Sequence, residues 1–91
     1  MSTTPLTLLS GSKTVASSAT PEAVGTSQRI RAVMLQAKST NTGDVRVGNS
    51  SSQDWRLDAN DSVTIAVEDL ADVYVDVDVN GEGINFLAVK H

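Results

Sequence analysis

The chain has no cysteine among its 91 residues, so disulfides, thiolate metal sites and thiol-based active sites are excluded. Aromatic residues are scarce as well, with one Trp, one Tyr and one Phe, and much of the apolar content is Val and Ala. A chain of this length forms one domain, residues 1–91, which buries only roughly 60–65% of its unfolded surface. A light core without a covalent cross-link favours stabilisation by self-association.

Histidine is nearly absent, since His91 is the only one and is the last residue. A chain end is a poor place for a rigid Ser-His-Asp triad. The stretch SGSKT (residues 10–14) lacks the glycine spacing of a phosphate-binding loop. Acidic pairs such as Glu68-Asp69 fall in a predicted turn, where carboxylates are solvated. We therefore expect that the protein is not an enzyme and uses no cofactor.

Long hydrophobic runs are missing, because no apolar stretch approaches the ~20 residues that cross a bilayer. The N-terminus, MSTTPLTLLSGSKTV, lacks the basic start and long apolar centre of a signal peptide. We therefore expect a protein that contacts no membrane and is made and used without secretion.

The net charge of −4 is unevenly distributed. Residues 1–53 contain five basic and two acidic residues, whereas residues 54–91 contain two basic and nine acidic residues. The acidic second half argues against nucleic-acid binding. It is explained either by solubility or by the meeting of unlike surfaces in an assembly.

The sequence does contain apolar and polar residues that alternate, with turn signals roughly every eight to twelve residues. This pattern predicts an all-β fold, an antiparallel β-sandwich of jelly-roll or immunoglobulin-like type with about 7–8 strands. Short strands are predicted at 6–9 and 14–18, with SGSK as the turn between them. Residues 1–27 are rich in Ser and Thr, which predicts an N-terminal arm or an edge strand. The residues predicted to be largely buried are Met34, Leu35, Val47, Ile65, Val67, Val75, Val77 and Phe86.

The longest predicted strand, RIRAVMLQAK (residues 29–38), does not alternate regularly. Arg29 and Arg31 begin one face, but Val33, Leu35 and Ala37 continue it, and Ile30, Ala32 and Met34 line the other face. A central strand covered on both faces would give this pattern, and so would a β-bulge near Ala32.

The stretch VYVDVDVNGEG (residues 73–83) contains Asp76 and Asp78 at the spacing that opens an EF-hand calcium loop. The closing position of that loop is Leu87 instead of a bidentate Glu, and the flanks alternate with the period of a strand. We therefore predict a β-hairpin over residues 73–89 with its valines inward. Asp76 and Asp78 then point outward and form, at most, a weak metal site.

Partner contacts are expected on loops and free edges. Trp55 follows a polar loop and is a candidate anchor for a binding partner, as Trp often is. Its neighbour Arg56 is a further candidate. The others are Arg29 and Arg31, which suit binding to carboxylates, and Leu6 and Leu8 in the N-terminal segment.

From about residue 15 to 89 the order of features resembles a group of small phage virion proteins. The stretches that carry the resemblance are AVMLQAKSTNTGDVRVGNSSS and RLDANDSVTIAVEDLADVYVDVDVNGEGINFLAV, with SATPEAVGTSQRIRAV before them. The chain departs from these proteins at Ala59-Asn60, where they often have a Pro-Gly-type turn. Asn tolerates the left-handed backbone of such a turn, so we expect it to form here.

The resemblance implies a capsid cement or decoration protein that binds the major capsid protein at the virion surface and is made in the host cytoplasm. With the light core, it also predicts a homotrimer. A neck, tail or fibre-attachment adaptor is the alternative function. A carbohydrate-binding β-sandwich ranks third, because such modules display several aromatic platforms and this chain offers only Trp55 and Tyr74.

Overall fold

The computed structural model describes residues 7–90, which form two four-stranded antiparallel sheets. The strands are β1 (Thr7–Thr14), β2 (Glu22–Ala23), β3 (Ile30–Ala37), β4 (Val45–Gly48), β5 (Trp55–Leu57), β6 (Ser62–Ile65), β7 (Tyr74–Val77) and β8 (Gly83–Lys90). A short 3-10 helix, Leu70–Asp72, precedes β7. The predicted all-β sandwich is thereby confirmed.

The front sheet has the strand order β1-β8-β3-β6, and the back sheet has the order β2-β7-β4-β5. Within these sheets β1 pairs with β8, β2 with β7, β3 with β6 and β4 with β5. The first half of the chain therefore pairs with the second half as one long hairpin that closes at β4–β5 and wraps into two sheets. This is the topology of a jelly roll, the first of the two sandwich types predicted.

The predicted hairpin over residues 73–89 is wrong, because β7 lies in the back sheet and β8 lies in the front sheet. The segment between them is a corner that crosses from one sheet to the other. Gly81 adopts a positive φ of 83° there, as expected for a turn. The side chain of Asn41 bonds to the backbone of Gly83 in both directions, and this joins the 38–44 corner to the start of β8.

The hydrophobic core consists of aliphatic side chains between the sheets: Val15, Val24, Ile30, Val33, Leu35, Ala37, Val45, Val47, Leu57, Leu70, Val73, Val75, Val77, Ile84 and Ala88. Of the predicted core residues, Leu35, Val47, Val75 and Val77 are buried, whereas Ile65, Val67 and Phe86 are half-buried against the core. No aromatic side chain is fully buried, so the core is as light as the composition indicates.

Met34 was predicted to be buried but is 46% exposed. The pairing of β3 with β8 shifts register between Ile30 and Ala32, which is a bulge at Arg31. Beyond the bulge, Val33 and Leu35 point into the core and Met34 points out. The bulge explanation is therefore confirmed, and β3 is not covered on both faces.

β1 is one continuous edge strand, paired along its whole length with β8. The turn predicted at SGSK does not form. Gly11 lies opposite Phe86, and a Cβ at Gly11 would lie 2.8 Å from the Cζ of that ring. The glycine therefore serves the packing of Phe86 instead of a turn.

Candidate functional site

The outward-facing surface of the front sheet, called here the front face, carries one charged side chain from its four strands, Arg31 at the bulge near one end of β3. Alternation of exposure along each strand identifies the outward residues. They are Leu8, Ser10, Ser12, Thr14, Arg31, Ala32, Met34, Gln36, Ser62, Thr64, Asn85, Leu87 and Val89. One fifth of the whole chain is charged, so a sheet face whose single charge lies at one end is a surface that is unlike the rest.

The strand register orders the front face into rows. Leu8, Val89 and Ala32 lie side by side in one row, and Leu87 and Met34 lie at the centre of the next. The row after that is polar, with Ser12, Asn85, Gln36 and Ser62 across the four strands.

The apolar rows are accessible to a partner. Leu8 is 62% exposed, Met34 is 46% exposed and Leu87 is 43% exposed. A shallow depression of about 150 Å³ lies between Met34, Leu87 and Val89. The front face is thus an apolar patch bordered by hydroxyl and amide groups, which is the composition of an interface centre.

The opposite surface of the sandwich carries charges in a paired network. The Arg46 guanidinium lies 3.3 Å from a carboxylate oxygen of Asp76 and 3.3 Å from one of Asp78. Arg56 lies 3.1 Å from Asp44 and 3.7 Å from Asp78. These ion pairs suit a surface that stays in water.

Asp76 points away from the core, as predicted, but it is only 5% exposed. Its carboxylate accepts hydrogen bonds from the backbone N–H groups of Ala19 and Val77, and Arg46 lies beside it. Both candidate metal ligands, Asp76 and Asp78, therefore have arginine partners. Among residues 7–90 no group of three acidic side chains is placed to hold a metal ion.

Asp58 joins the charged network of the back surface through a contact with Asp44. A hydrogen bond with Asp44, together with the negative charge of Asp44, raises the pKa of Asp58 above its ordinary value. The same hydrogen bond, and the one from Arg56, lower the pKa of Asp44. The two carboxyl groups therefore differ in proton affinity although they are neighbours.

The sandwich has two sides where the edges of its sheets lie next to each other, and these sides differ. On one side, the ammonium group of Lys13 on β1 lies 2.9 Å from the carboxylate of Glu22 on β2. The hydrogen bond from Lys13, with a second from the N–H of Ala16, holds the pKa of Glu22 below its ordinary value. This ion pair links the edges of the two sheets.

The other side, between β5 and β6, is open beside Trp55. Trp55 lies opposite Val47, which is 3% exposed, so both side chains project from the core-side face of the back sheet. Trp55 nevertheless remains 62% exposed. A cleft of about 290 Å³ lies here, lined by Val47, Gly48, Trp55, Val63 and Ile65. We call it the Trp55 cleft.

The structure separates the predicted contact residues. Leu8 lies on the front face, and Arg31 is exposed on the bulge near the same end of the sheet. Arg29 is exposed and forms a backbone bridge with Asp69. Trp55 faces the cleft, whereas Arg56 faces the back surface and binds Asp44.

Two of the residues considered in the sequence, Leu6 and His91, lie outside the described residues. Sequence reasoning missed Met34, Leu87 and Val89 as surface residues. The signal that identifies them is the lack of charge at alternate positions of β1, β3, β6 and β8, which becomes visible only when the strands are aligned.

The chain matches no family model, no curated protein and no solved structure. Within residues 7–90 no helix has the length and apolar character needed to cross a membrane.

Proposed function

We propose that this protein is a non-enzymatic capsid decoration protein that binds a phage head shell through its front face. The observation that carries the proposal is the outward surface of the front sheet, where Leu8, Met34 and Leu87 are exposed and Arg31, at one end, is the single charged residue. The resemblance to small virion proteins supports the choice of partner, and the jelly-roll topology is one that capsid proteins use. A protein of this kind acts by binding free energy alone, because contacts made only with the mature shell stabilise that shell.

The front face is suited to weak, repeated binding. Four strands at ~4.8 Å spacing and eight residues at ~3.3 Å give a flat area of roughly 500 Å². An interface through this face would therefore bury roughly 1,000 Å², counting both of its sides, which is below the ~1,200–2,000 Å² of a stable pairwise interface. Many copies on one particle, or several faces in one oligomer, would add such contacts together.

The proposal includes a homotrimer. β1 is an eight-residue edge strand whose outer side has no partner among residues 7–90. Its one charged residue, Lys13, is bound to Glu22, and the strand has no proline. β1 thus has neither the free charge nor the proline that prevents an edge strand from pairing with another chain. In a trimer each such edge would lie against a neighbouring copy. Light scattering tests this part, and a monomer at tens of micromolar contradicts it.

The test of shell binding uses particles that lack the protein. Adding the wild-type protein should raise the temperature at which these particles release their genome. A Met34→Ser/Leu87→Ser variant should bind more weakly, because full burial of such a side chain is worth about 1.5–3 kcal/mol. The exposed fractions, 46% and 43%, give about 1.3–2.7 kcal/mol together. That corresponds to roughly a 10-fold to 100-fold loss of affinity.

The matched control is Arg56→Ser, whose side chain is exposed on the opposite sheet. It should bind the shell like the wild type. A release temperature that the wild-type protein does not raise would contradict the decoration function. Binding to the neck or tail alone would support the adaptor instead.

A further inference from the structure

We propose that Asn80 is a site of covalent modification, at which the side-chain amide is lost by reaction with the backbone nitrogen of Gly81 and two hydrogen bonds of the folded protein set the rate. The site lies in the corner between β7 and β8, away from the front face, and the inference stands without shell binding. It depends on the Asn80-Gly81 sequence, on the exposure of the corner and on the contacts of the two reacting groups.

Asn80 is the only one of the five asparagines in the chain that precedes a glycine. The other four precede Thr42, Ser50, Asp61 and Phe86, whose side chains crowd the backbone nitrogen. Glycine has no side chain, so its nitrogen approaches the Cγ atom of the preceding Asn more easily. Both residues of the pair are exposed, so water, the second reactant, reaches them.

The reaction exchanges ammonia for water and needs no oxidant or reductant. The Gly81 nitrogen loses its proton to the solvent and forms a bond to Cγ of Asn80, while the bond from Cγ to Nδ2 breaks and Nδ2 leaves as ammonia. Water then opens the resulting cyclic imide. Opening at the side-chain carbonyl gives an ordinary aspartate, and opening at the backbone carbonyl gives isoaspartate, whose main chain runs through the side chain and is one methylene longer.

The folded corner engages both reacting groups in other contacts. The Gly81 N–H donates to the Val15 carbonyl at 2.8 Å, which opposes the loss of its proton. Oδ1 of Asn80 accepts a hydrogen bond from the Ser18 N–H at 2.7 Å, which holds the side-chain amide in place. One such bond shifts an equilibrium roughly 2-fold to 13-fold, so the two together should slow the reaction roughly 5-fold to 160-fold relative to the unfolded chain. Modification therefore proceeds through local opening of the corner.

The two products should differ in stability. An aspartate at position 80 keeps an oxygen for the Ser18 N–H and an unchanged main chain. Isoaspartate lengthens the main chain directly before Gly81, so the Gly81 N–H no longer meets the Val15 carbonyl. The Val15 N–H, which donates to the Glu82 carbonyl at 2.9 Å, belongs to the same ladder and is displaced with it. The isoaspartate form should therefore unfold at a lower temperature than the aspartate form.

The experiment compares the full-length wild type with Ser18→Pro and Ser18→Ala. Ser18 is the second residue of a turn that the Thr20 N–H closes onto the Ser17 carbonyl, and the third residue, Ala19, has φ of 68°. These features define a type II turn, in which proline is favoured at the second position. Ser18→Pro therefore removes the N–H that binds Asn80 and suits the turn, whereas Ser18→Ala keeps that N–H and is the matched control.

Each protein is incubated at mildly alkaline pH, folded in buffer and unfolded in guanidinium chloride, and peptide mapping by mass spectrometry follows every asparagine. In the unfolded chains, Asn80 should react first and at the same rate in all three proteins. In the folded proteins, the wild type and Ser18→Ala should react roughly 5-fold to 160-fold more slowly than when unfolded. Folded Ser18→Pro should react roughly 2-fold to 13-fold faster than these two.

Hydrogen exchange of the Gly81 amide gives a second measurement on the wild type alone, which decides the matter if Ser18→Pro does not fold. Exchange and modification both require this N–H to leave Val15, so folding should slow the two by factors that agree within about tenfold. Equal rates of modification in the folded and unfolded wild type would overturn the inference. Earlier reaction of another asparagine in the unfolded chain, or equal rates in folded Ser18→Pro and Ser18→Ala, would overturn it as well.

Discussion

Phe86 and Gly11 should be energetically coupled across the β1–β8 pair. The Phe86 ring covers the glycine opposite it, in the position where a Gly11 side chain would stand. Phe86→Ala in a fully closed core costs about 3–5 kcal/mol. Because this ring is only half-buried where it packs on the edge strand β1, water fills the space it leaves, and we expect about half of that cost, roughly 1.5–2.5 kcal/mol.

The effect of Gly11→Ala on the free energy of unfolding should have opposite signs in the wild type and in the Phe86→Ala variant. In the wild type, the new Cβ lies 2.8 Å from Cζ and 3.0 Å from Cε2 of Phe86, so the ring must move out of its contact. In the Phe86→Ala background that obstacle is absent. There, Ala should stabilise the strand by about 0.5–1 kcal/mol, because glycine loses more backbone entropy on folding.

A double-mutant cycle measures this coupling. Urea denaturation of the four proteins gives each free energy of unfolding. All four are measured at one concentration, because self-association makes apparent stability depend on concentration. Phe86→Ala should lower the melting temperature by roughly 6–20 °C. Equal effects of Gly11→Ala in both backgrounds, within about 0.5 kcal/mol, would refute the packing argument.

Acid should weaken the fold, because hydrogen bonds hold three carboxyl pKa values below their ordinary values. Lys13 donates to Glu22, whose ordinary pKa is 4.5, and the Gly43 N–H donates to Glu82, whose ordinary pKa is also 4.5. The Ser27 hydroxyl donates to Asp69, whose ordinary pKa is 3.8. A lowered folded-state pKa stabilises the fold above the unfolded pKa, and this stability is lost as the pH falls through the folded-state value. The free energy of unfolding from denaturant titrations should therefore decline below about pH 4.5, and a constant value down to about pH 3 would contradict the assignment. Trp55→Ala should lower the free energy of unfolding by only about 0.6–1.1 kcal/mol, since 62% of Trp55 is exposed. The same titration measures this loss, and a value above about 3 kcal/mol would mean that the cleft is closed.

Local patterns predict the strands of this protein better than their pairing. Alternating valines identify β7, and Asn60 takes the left-handed conformation expected of it, with φ of 71°. The same local pattern suits a hairpin and a corner between sheets, however, so nothing in residues 73–89 shows that β7 and β8 separate. Their partners, β4 for one and β3 for the other, lie far away in the sequence.

Burial of polar residues depends on contacts that sequence spacing does not reveal. Asp76 occupies an outward position in its strand, yet Arg46 and the backbone around Ala19 cover it. Met34 illustrates the opposite error, because one extra residue in a bulge exchanges the faces of a strand. Gly11 has the appearance of a turn residue and instead makes room for an aromatic ring.

The candidate sites were predicted in part. Trp55 and Leu8 were expected at contacts on general grounds, and the structure places them on two separate surfaces. The front face was not foreseen, since it unites alternate residues of four strands that are distant in the sequence.

The most direct test of the account is an electron cryomicroscopy map of particles carrying the bound protein, at a resolution that separates the two sheets. Copies should lie on the head shell with the front face, and Met34 and Leu87 within it, against capsid subunits. The charged surface around Arg46 and Asp78 should face the solvent. Copies that contact the shell through this charged surface, or that occupy only the neck or tail, would contradict it.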